Sequence, residues 1–248
     1  MPDPPPKPEL LPSLRRLVRG LSALFWGLPC ALVLCFYTAK TEGFKFFGVG
    51  PPLVSTAWLA YGLWQLGAFQ KQERVWRHAL DRAQLLGLIN LGLSPFLYWS
   101  NQAPANPFFL AMTLTLSFVG PLFLAALNLV LQRLAAMLPD EALRQEVKQF
   151  TRLNLRLLAA LLAFVLLYLA FAFLPPNHLR SLPPWVLRLL ALPDRSTLWY
   201  FIPLIPGLLL PMAMTMALLW KTKEVILDGV FRDKLQPPRF GSRSHDWD

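Results

Sequence analysis

Charged residues are scarce in this sequence. They make up 15% of the 248 residues, against about 25% in an ordinary soluble domain. The two cysteines are too few for a disulfide scaffold, and the 13 glycines follow no collagen-like period. Disordered chains require low hydrophobicity, whereas 55% of these residues are apolar. The composition therefore indicates a membrane protein with several spans.

Long runs without charge predict where the chain crosses the bilayer. A helix needs roughly 20 predominantly apolar residues to cross the hydrocarbon core. The runs predict six spans, at about 20–38, 51–69, 84–100, 107–131, 157–174 and 198–220. They do not alternate with a period of two, which favours helices over barrel strands. We therefore expect an all-α polytopic membrane helix bundle, with six transmembrane helices over 14–235. A Pro-rich cytoplasmic tail at 1–13 precedes this domain, and a disordered cytoplasmic tail at 236–248 follows it.

The distribution of basic residues predicts the orientation. Of the 24 Lys and Arg residues, 19 lie in the N-terminal segment and in 70–83, 132–156 and 221–248. The other five lie in the connections on the opposite side. Because Lys and Arg concentrate in cytoplasmic segments, we expect a protein of the plasma (inner) membrane with both termini cytoplasmic. The net charge of +10 suits anionic membrane lipid, and no basic–aromatic motif accompanies it, so we expect no nucleic-acid partner.

The predicted spans lack ionisable side chains. They contain no Asp, Glu, Lys, Arg or His, the residues that mark proton relays, ion sites and catalytic groups in membranes. The sequence also has no His-Glu-x-x-His motif, nucleophile elbow or phosphate-binding loop. The histidines fall in separate segments, at His78, His178 and His245. We therefore expect no enzymatic activity, no cofactor and no metal site.

Three connections predict short amphipathic interfacial helices. Two are cytoplasmic, at 70–84 and 140–157, and one lies outside, at 182–192. Asp140 is the predicted N-cap of the second, whose apolar face includes Phe150. The alternatives are helices that rest on lipid headgroups and helices that dock a cytoplasmic protein. The candidate docking residues are Arg74, Trp76, Arg77 and Arg82.

Prolines concentrate in the sixth predicted span. An interior proline removes a backbone donor, and transporters place binding sites at broken helices. We expect this span to be unwound near Pro206-Gly207 and to face a cleft or a subunit contact, with amides of Asn90 and Asn128 bonding the freed backbone groups. The alternative is a helix with mild kinks. The candidate residues for this break or cleft are Asn90, Gly120, Pro121, Asn128, Pro203, Pro206, Gly207 and Pro211.

The absence of catalytic chemistry favours a structural or partner-binding component of a membrane complex. The alternative is a permease, because the layout resembles the membrane subunit of ABC-2-type exporters. Those subunits have six spans, both termini inside, a cytoplasmic helix between spans two and three, and short external helices between spans five and six; 70–84 and 182–192 occupy the matching places. The resemblance implies a separate ATPase as partner and carries over no functional residue. A lipid-processing enzyme is a third, disfavoured interpretation, and an oligomer is compatible with all three.

Overall fold

The protein is helical throughout the part that its structure describes. The computed structural model describes residues 10–40, 45–69, 73–138, 140–172 and 198–235. Over these ranges the chain forms seven α-helices and no strand: α1 Leu10–Lys40, α2 Gly50–Leu66, α3 Arg74–Leu93, α4 Pro95–Gln102, α5 Pro107–Met137, α6 Glu141–Ala172 and α7 Leu198–Leu235. The all-α prediction is confirmed. The predicted external helix at 182–192 and the tail at 236–248 lie outside the described residues.

Local sequence signals explain where the helices begin. The side chain of Asn106 accepts a hydrogen bond from the Phe108 backbone N–H at 3.0 Å and caps α5. The Asp140 side chain likewise accepts from the Leu143 N–H at 3.1 Å, as the N-cap prediction requires. Before α2, Gly48 has φ of 57°, in the left-handed region that glycine adopts at little cost.

The third predicted span consists of two helices. α3 ends at Leu93 and α4 begins at Pro95, with Ser94 between them. Pro95 has no N–H, so it leaves the carbonyl of Leu91 without its helical donor. The buried Ser94 hydroxyl donates to that carbonyl at 2.9 Å and lies 3.2 Å from the Thr56 hydroxyl of α2. The Leu91 carbonyl, which Pro95 leaves without a backbone donor, is therefore bonded by the Ser94 side chain.

The two predicted cytoplasmic helices are not separate elements. Residues 74–84 form the first part of α3, which continues to Leu93, and residues 141–157 form the first part of α6, which continues to Ala172. α6 has 32 residues, which corresponds to about 48 Å at 1.5 Å per residue. A charged amphipathic segment gives the same periodicity whether it lies beside a span or extends it. The prediction of independent interfacial helices at these two places is therefore wrong.

The helices close into a ring. α1 packs on α2, α2 on α3, α3 on α5, α5 on α6, α6 on α7, and α7 returns to α1. Where the connection is short, as between α5 and α6, successive helices are expected to be antiparallel. Leucines fill the contacts, with Leu21, Leu63, Leu127 and Leu131 all fully buried. The core therefore follows the helix–helix seams around the ring.

Three helices are long and apolar enough to cross a membrane. They cover Pro12–Lys40, Pro107–Met137 and Glu141–Leu167, with mean hydropathy of 1.8, 2.1 and 1.8. α2 has 17 residues and is about 26 Å long, a little less than the hydrocarbon thickness of about 30 Å. The three helices support a membrane protein, and they are fewer than the six predicted spans.

Candidate functional site

A half-open cavity of about 350 Å³ lies between the helices, and all seven described helices contribute to its wall. Apolar side chains dominate that wall, among them Leu28, Leu124 and Met212. Polar side chains enter from three helices, as Thr56, Asn90 and Ser117. None of the described lining residues is charged. Binding sites for small molecules are typically apolar concavities with a few polar groups, and this cavity has that composition.

Small residues leave the space open. Two glycines of the wall lie on facing helices, Gly87 on α3 and Gly120 on α5. A Cβ at Gly87 would lie 3.2 Å from Cδ1 of Leu63, so this glycine allows close packing. A Cβ at Gly120 would meet no heavy atom within 4 Å. The glycine at 120 therefore keeps volume free, since a side chain there would enter space that nothing occupies.

Asn90 lines the cavity and carries a buried acceptor without a partner. Its side chain is only 9% exposed, and its Oδ1 has no hydrogen-bond partner in the described part of the chain. More than nine in ten buried polar groups have a partner, so such an oxygen calls for an explanation. Thr56 and Ser117 differ from Asn90 because their hydroxyls donate to carbonyls of their own helices.

A polar cluster joins α5, α6 and α7. The Nδ2 of Asn128 donates to the Thr215 hydroxyl at 2.9 Å and to the Leu124 carbonyl at 2.8 Å. The Nδ2 of Asn154 donates to the same hydroxyl at 3.0 Å and to the Pro211 carbonyl at 3.1 Å. Thr215 in turn donates to the Pro211 carbonyl at 2.8 Å. Because Asn128, Asn154 and Thr215 are all fully buried, the cluster fixes the register of three helices.

The sixth predicted span is not unwound. α7 runs as one helix from Leu198 to Leu235, through Pro206-Gly207 and Pro211. Pro211 is buried at the contact with α6, where Asn154 bonds its carbonyl. The helix therefore faces its neighbours without a break, and the predicted unwinding is wrong.

The structure separates the predicted cleft residues into two groups. Asn90, Gly120 and Pro121 line the cavity, whereas Asn128 and Pro211 belong to the polar cluster. Asn128 donates to the side chain of Thr215 on α7 and not to a freed carbonyl of that helix. Asn90 makes no hydrogen bond to the described residues of α7. A Cβ at Gly207 would lie 3.4 Å from Leu161. The side chains of Pro203 and Pro206 lie outside the described residues.

The sequence reasoning missed Asn154. The predicted fifth span began at residue 157, so Asn154 fell in a segment interpreted as cytoplasmic. The spacing of Asn154 could have indicated that it is buried. At intervals of four, three and four residues, one face of the helix carries Val147, Thr151, Asn154 and Leu158. All four are buried.

Two of the four predicted docking residues, Trp76 and Arg77, line a groove of about 1180 Å³ between α1, α2 and α3, whereas Arg74 and Arg82 do not. Arg16, Trp64 and Arg77 line it, and the Trp64 side chain is 79% exposed. Trp76 also borders the groove but is only 1% exposed, with its ring edge-on to Phe69 at 6.5 Å. Trp76 therefore anchors α3 to its own bundle. Two further docking candidates on α3 are exposed: Arg74 and Arg82.

Comparisons of the chain with protein families, with curated proteins and with solved structures give no match.

Proposed function

We propose that the chain is a non-catalytic, six-span membrane protein that binds an acidic cytoplasmic partner in the groove between α1, α2 and α3. The groove is the observation that carries the proposal. Its lining includes Arg16, Arg77 and the exposed Trp64, and arginine and tryptophan are the residue types enriched where protein interfaces gain most of their affinity. Asp81 is the one acidic residue of the described lining, so the two arginines leave a net positive charge that favours a partner with an acidic contact surface.

Contacts at the charged end of the bundle support the six-span orientation. Glu146 near the start of α6 pairs with Lys221 of α7, and the Gln84 amide of α3 donates to the Leu63 carbonyl of α2 at 3.3 Å. The first contact joins two segments that the basic-residue distribution assigns to the cytoplasm, and the second joins two spans near their predicted cytoplasmic ends. At the other end, the Asn101 amide of α4 donates to the Thr38 carbonyl of α1 at 3.2 Å. Reporter fusions at Gln102 and Gln236 are expected to report opposite sides of the membrane, and the same side for both would contradict the threading.

A charge-reversal experiment tests the groove. In one variant Arg74, Arg77 and Arg82 become Glu; in the control the same change is made on α6, at Lys148, Arg152 and Arg156. All six side chains are exposed, so both variants reverse three charges without altering the packed faces. Each protein is purified in mild detergent, and the copurifying proteins are quantified.

The two variants are expected to behave differently. Reversal on α3 should abolish copurification of the partner, since three attractions become repulsions, whereas reversal on α6 should leave copurification unchanged. Equal retention of the partner by both variants would refute docking in the groove. Equal loss from both would show a dependence on total basic charge and would also refute it. The fusions at Gln102 and Gln236, repeated in each variant, verify that neither set of changes inverts the protein.

A permease is the second candidate function, and the central cavity favours it. A cavity bounded by all the helices provides a binding space inside the membrane domain, where permeases bind substrates. In this case the cytoplasmic partner is an ATPase. Reconstitution of the copurified complex in proteoliposomes should then give ATP hydrolysis that Gly120→Leu reduces, because this substitution fills the cavity. A copurified partner without ATPase activity would exclude this candidate.

A further inference from the structure

Four basic side chains form a row along the outer surface of α6. All four are exposed, and they follow one another at intervals of four residues, as Arg144, Lys148, Arg152 and Arg156. Side chains four residues apart in a helix are neighbours on its surface, with Cβ atoms about 5–6 Å apart. This basic row is therefore a continuous strip of positive charge about 18 Å long.

No carboxylate neutralises the basic row within the described part of the chain. Glu146 lies in the same stretch of α6, but it pairs with Lys221 of α7. The Arg144 guanidinium donates to the Leu138 carbonyl at 3.3 Å, and this neutral partner leaves its charge uncompensated. Because exposed cations without a carboxylate partner attract anions, the row favours a negatively charged ligand.

The basic row ends where the surface of α6 becomes apolar. Arg156 is the last charged residue before the predicted span 157–174, and the exposed side chains of the next three turns are all apolar. These are Ala159, Ala160, Ala163, Phe164, Leu166 and Leu167. α6 is also the least buried of the three helices long enough to cross a membrane, since 22% of its apolar stretch is buried, against 39% and 44% in the other two. Its outer surface therefore has a cationic end and an apolar end.

An anionic phospholipid of the cytoplasmic leaflet matches this surface at both ends. On the threading proposed above, Arg156 lies at headgroup depth and Arg152 lies one turn further into the cytoplasm. Arginine binds phosphate through paired hydrogen bonds. A second copy of the chain does not match, because two basic rows would then face each other. We propose that Arg152 and Arg156 bind the phosphate of one anionic phospholipid, whose acyl chain lies along the apolar surface that follows Arg156. This site is independent of the groove between α1, α2 and α3.

Native mass spectrometry of the purified full-length protein in detergent counts the lipids that it binds. The probes are phosphatidylglycerol and the zwitterionic phosphatidylcholine with the same acyl chains. A third probe is glycerophosphoglycerol, which is the phosphatidylglycerol headgroup without chains. One phosphatidylglycerol should bind per chain, with an affinity at least about fivefold higher than that of phosphatidylcholine. Glycerophosphoglycerol should not displace it, because this probe lacks the chains that contact the apolar surface.

Two pairs of arginines with the same spacing provide a variant and its control. Arg152→Gln with Arg156→Gln removes both phosphate ligands and should weaken phosphatidylglycerol binding by about 25-fold, at about fivefold for each basic residue near anionic lipid. Arg15→Gln with Arg19→Gln makes the same change on α1, where both side chains are exposed and precede a predicted span. This control should change binding by less than about twofold. The charge-reversed α3 variant should likewise keep phosphatidylglycerol, so the lipid site and the groove are tested separately.

Each alternative result overturns the proposal. Equal affinity for phosphatidylcholine, or phosphatidylglycerol binding that the changes at Arg152 and Arg156 leave intact, would show only unselected lipid around the bundle. Equal loss from both arginine pairs would show attraction to total positive charge. Displacement by glycerophosphoglycerol would show an anion site that needs no acyl chain. A dimer that the changes at Arg152 and Arg156 dissociate would show that a second copy covers this surface of α6.

Discussion

Thr215→Val is expected to weaken the bundle more than the loss of one hydroxyl on a helix surface would suggest. The Thr215 hydroxyl is the centre of the polar cluster, because it accepts from Asn128 and Asn154 and donates to the Pro211 carbonyl. Valine has a similar shape but offers no polar atom. Both asparagines keep one donor contact, to the carbonyls of Leu124 and Pro211, so each amide loses half of its donor bonds.

The magnitude follows from the number of bonds lost. Hydrogen bonds between helices of membrane proteins average about 0.6 kcal/mol each. Two bonds between helices and one within α7 disappear, which gives about 1–2 kcal/mol. A buried donor left without a partner adds to the loss, so the effect lies towards the upper end. We therefore expect the free energy of unfolding to fall by about 2 kcal/mol.

Equilibrium unfolding in mixed detergent micelles, followed by circular dichroism, measures this loss. The control is Thr115→Val on α5, because Thr115 is exposed and its hydroxyl donates only to the Ala111 carbonyl of its own helix, at 2.8 Å. The control should change the free energy of unfolding by less than about 0.5 kcal/mol. A double-mutant cycle with Asn128→Ala should give a coupling of about 0.6 kcal/mol. If Thr215→Val proves as mild as Thr115→Val, the cluster does not stabilise the contact of α5, α6 and α7.

Two further predictions concern other contacts. Gly20→Ala should lower the free energy of unfolding by about 1–3 kcal/mol, because the new Cβ would lie 2.8 Å from the carbonyl oxygen of Gly62 and would push α1 and α2 apart. The control is Gly92→Ala, whose Cβ would meet no heavy atom within 4 Å. It should leave the free energy of unfolding unchanged or raise it in the same measurement. Lys221→Met should cost no more than about 1 kcal/mol, because its pair with Glu146 is partly exposed and screened by salt. Exchanging the two charges, as Glu146→Lys with Lys221→Glu, should restore stability at low salt, and failure to do so would show that the pair contributes nothing.

The sequence was sufficient for the positions of most helices, since charge-free runs and capping residues are local signals. α5 begins at Pro107, the residue predicted from the sequence. The Asp140 cap was predicted from its position before an acidic first turn, and the structure confirms the hydrogen bond. Such features depend on a few neighbouring residues and therefore need no knowledge of the fold.

The errors have a common physical origin in tertiary contacts. Pro206-Gly207 and Pro211 suggested a broken helix, but packing on α6 and α5 accommodates α7 as one helix. Asn154 was excluded by a boundary set on the nearest charge, Arg156, although its own side chain turns into the core. Arg156 is exposed, but Asn154 in the same turn is fully buried. The position of a charged residue therefore does not determine whether the other residues of its turn are buried. The hydrophobic run therefore underestimates how far the buried face of α6 extends.

Part of the central cavity was indicated by the sequence, because Asn90, Gly120 and Pro121 were predicted cleft residues and all three line it. The rest of its wall was not, because Leu28, Leu124 and Met212 carry no polar or proline signal and come together only through helix packing. A small residue leaves space only where the neighbouring helices do not fill it, as at Gly120, where a Cβ would meet no heavy atom within 4 Å. The residue type therefore predicts a candidate, and the tertiary fold decides whether that candidate borders a cavity.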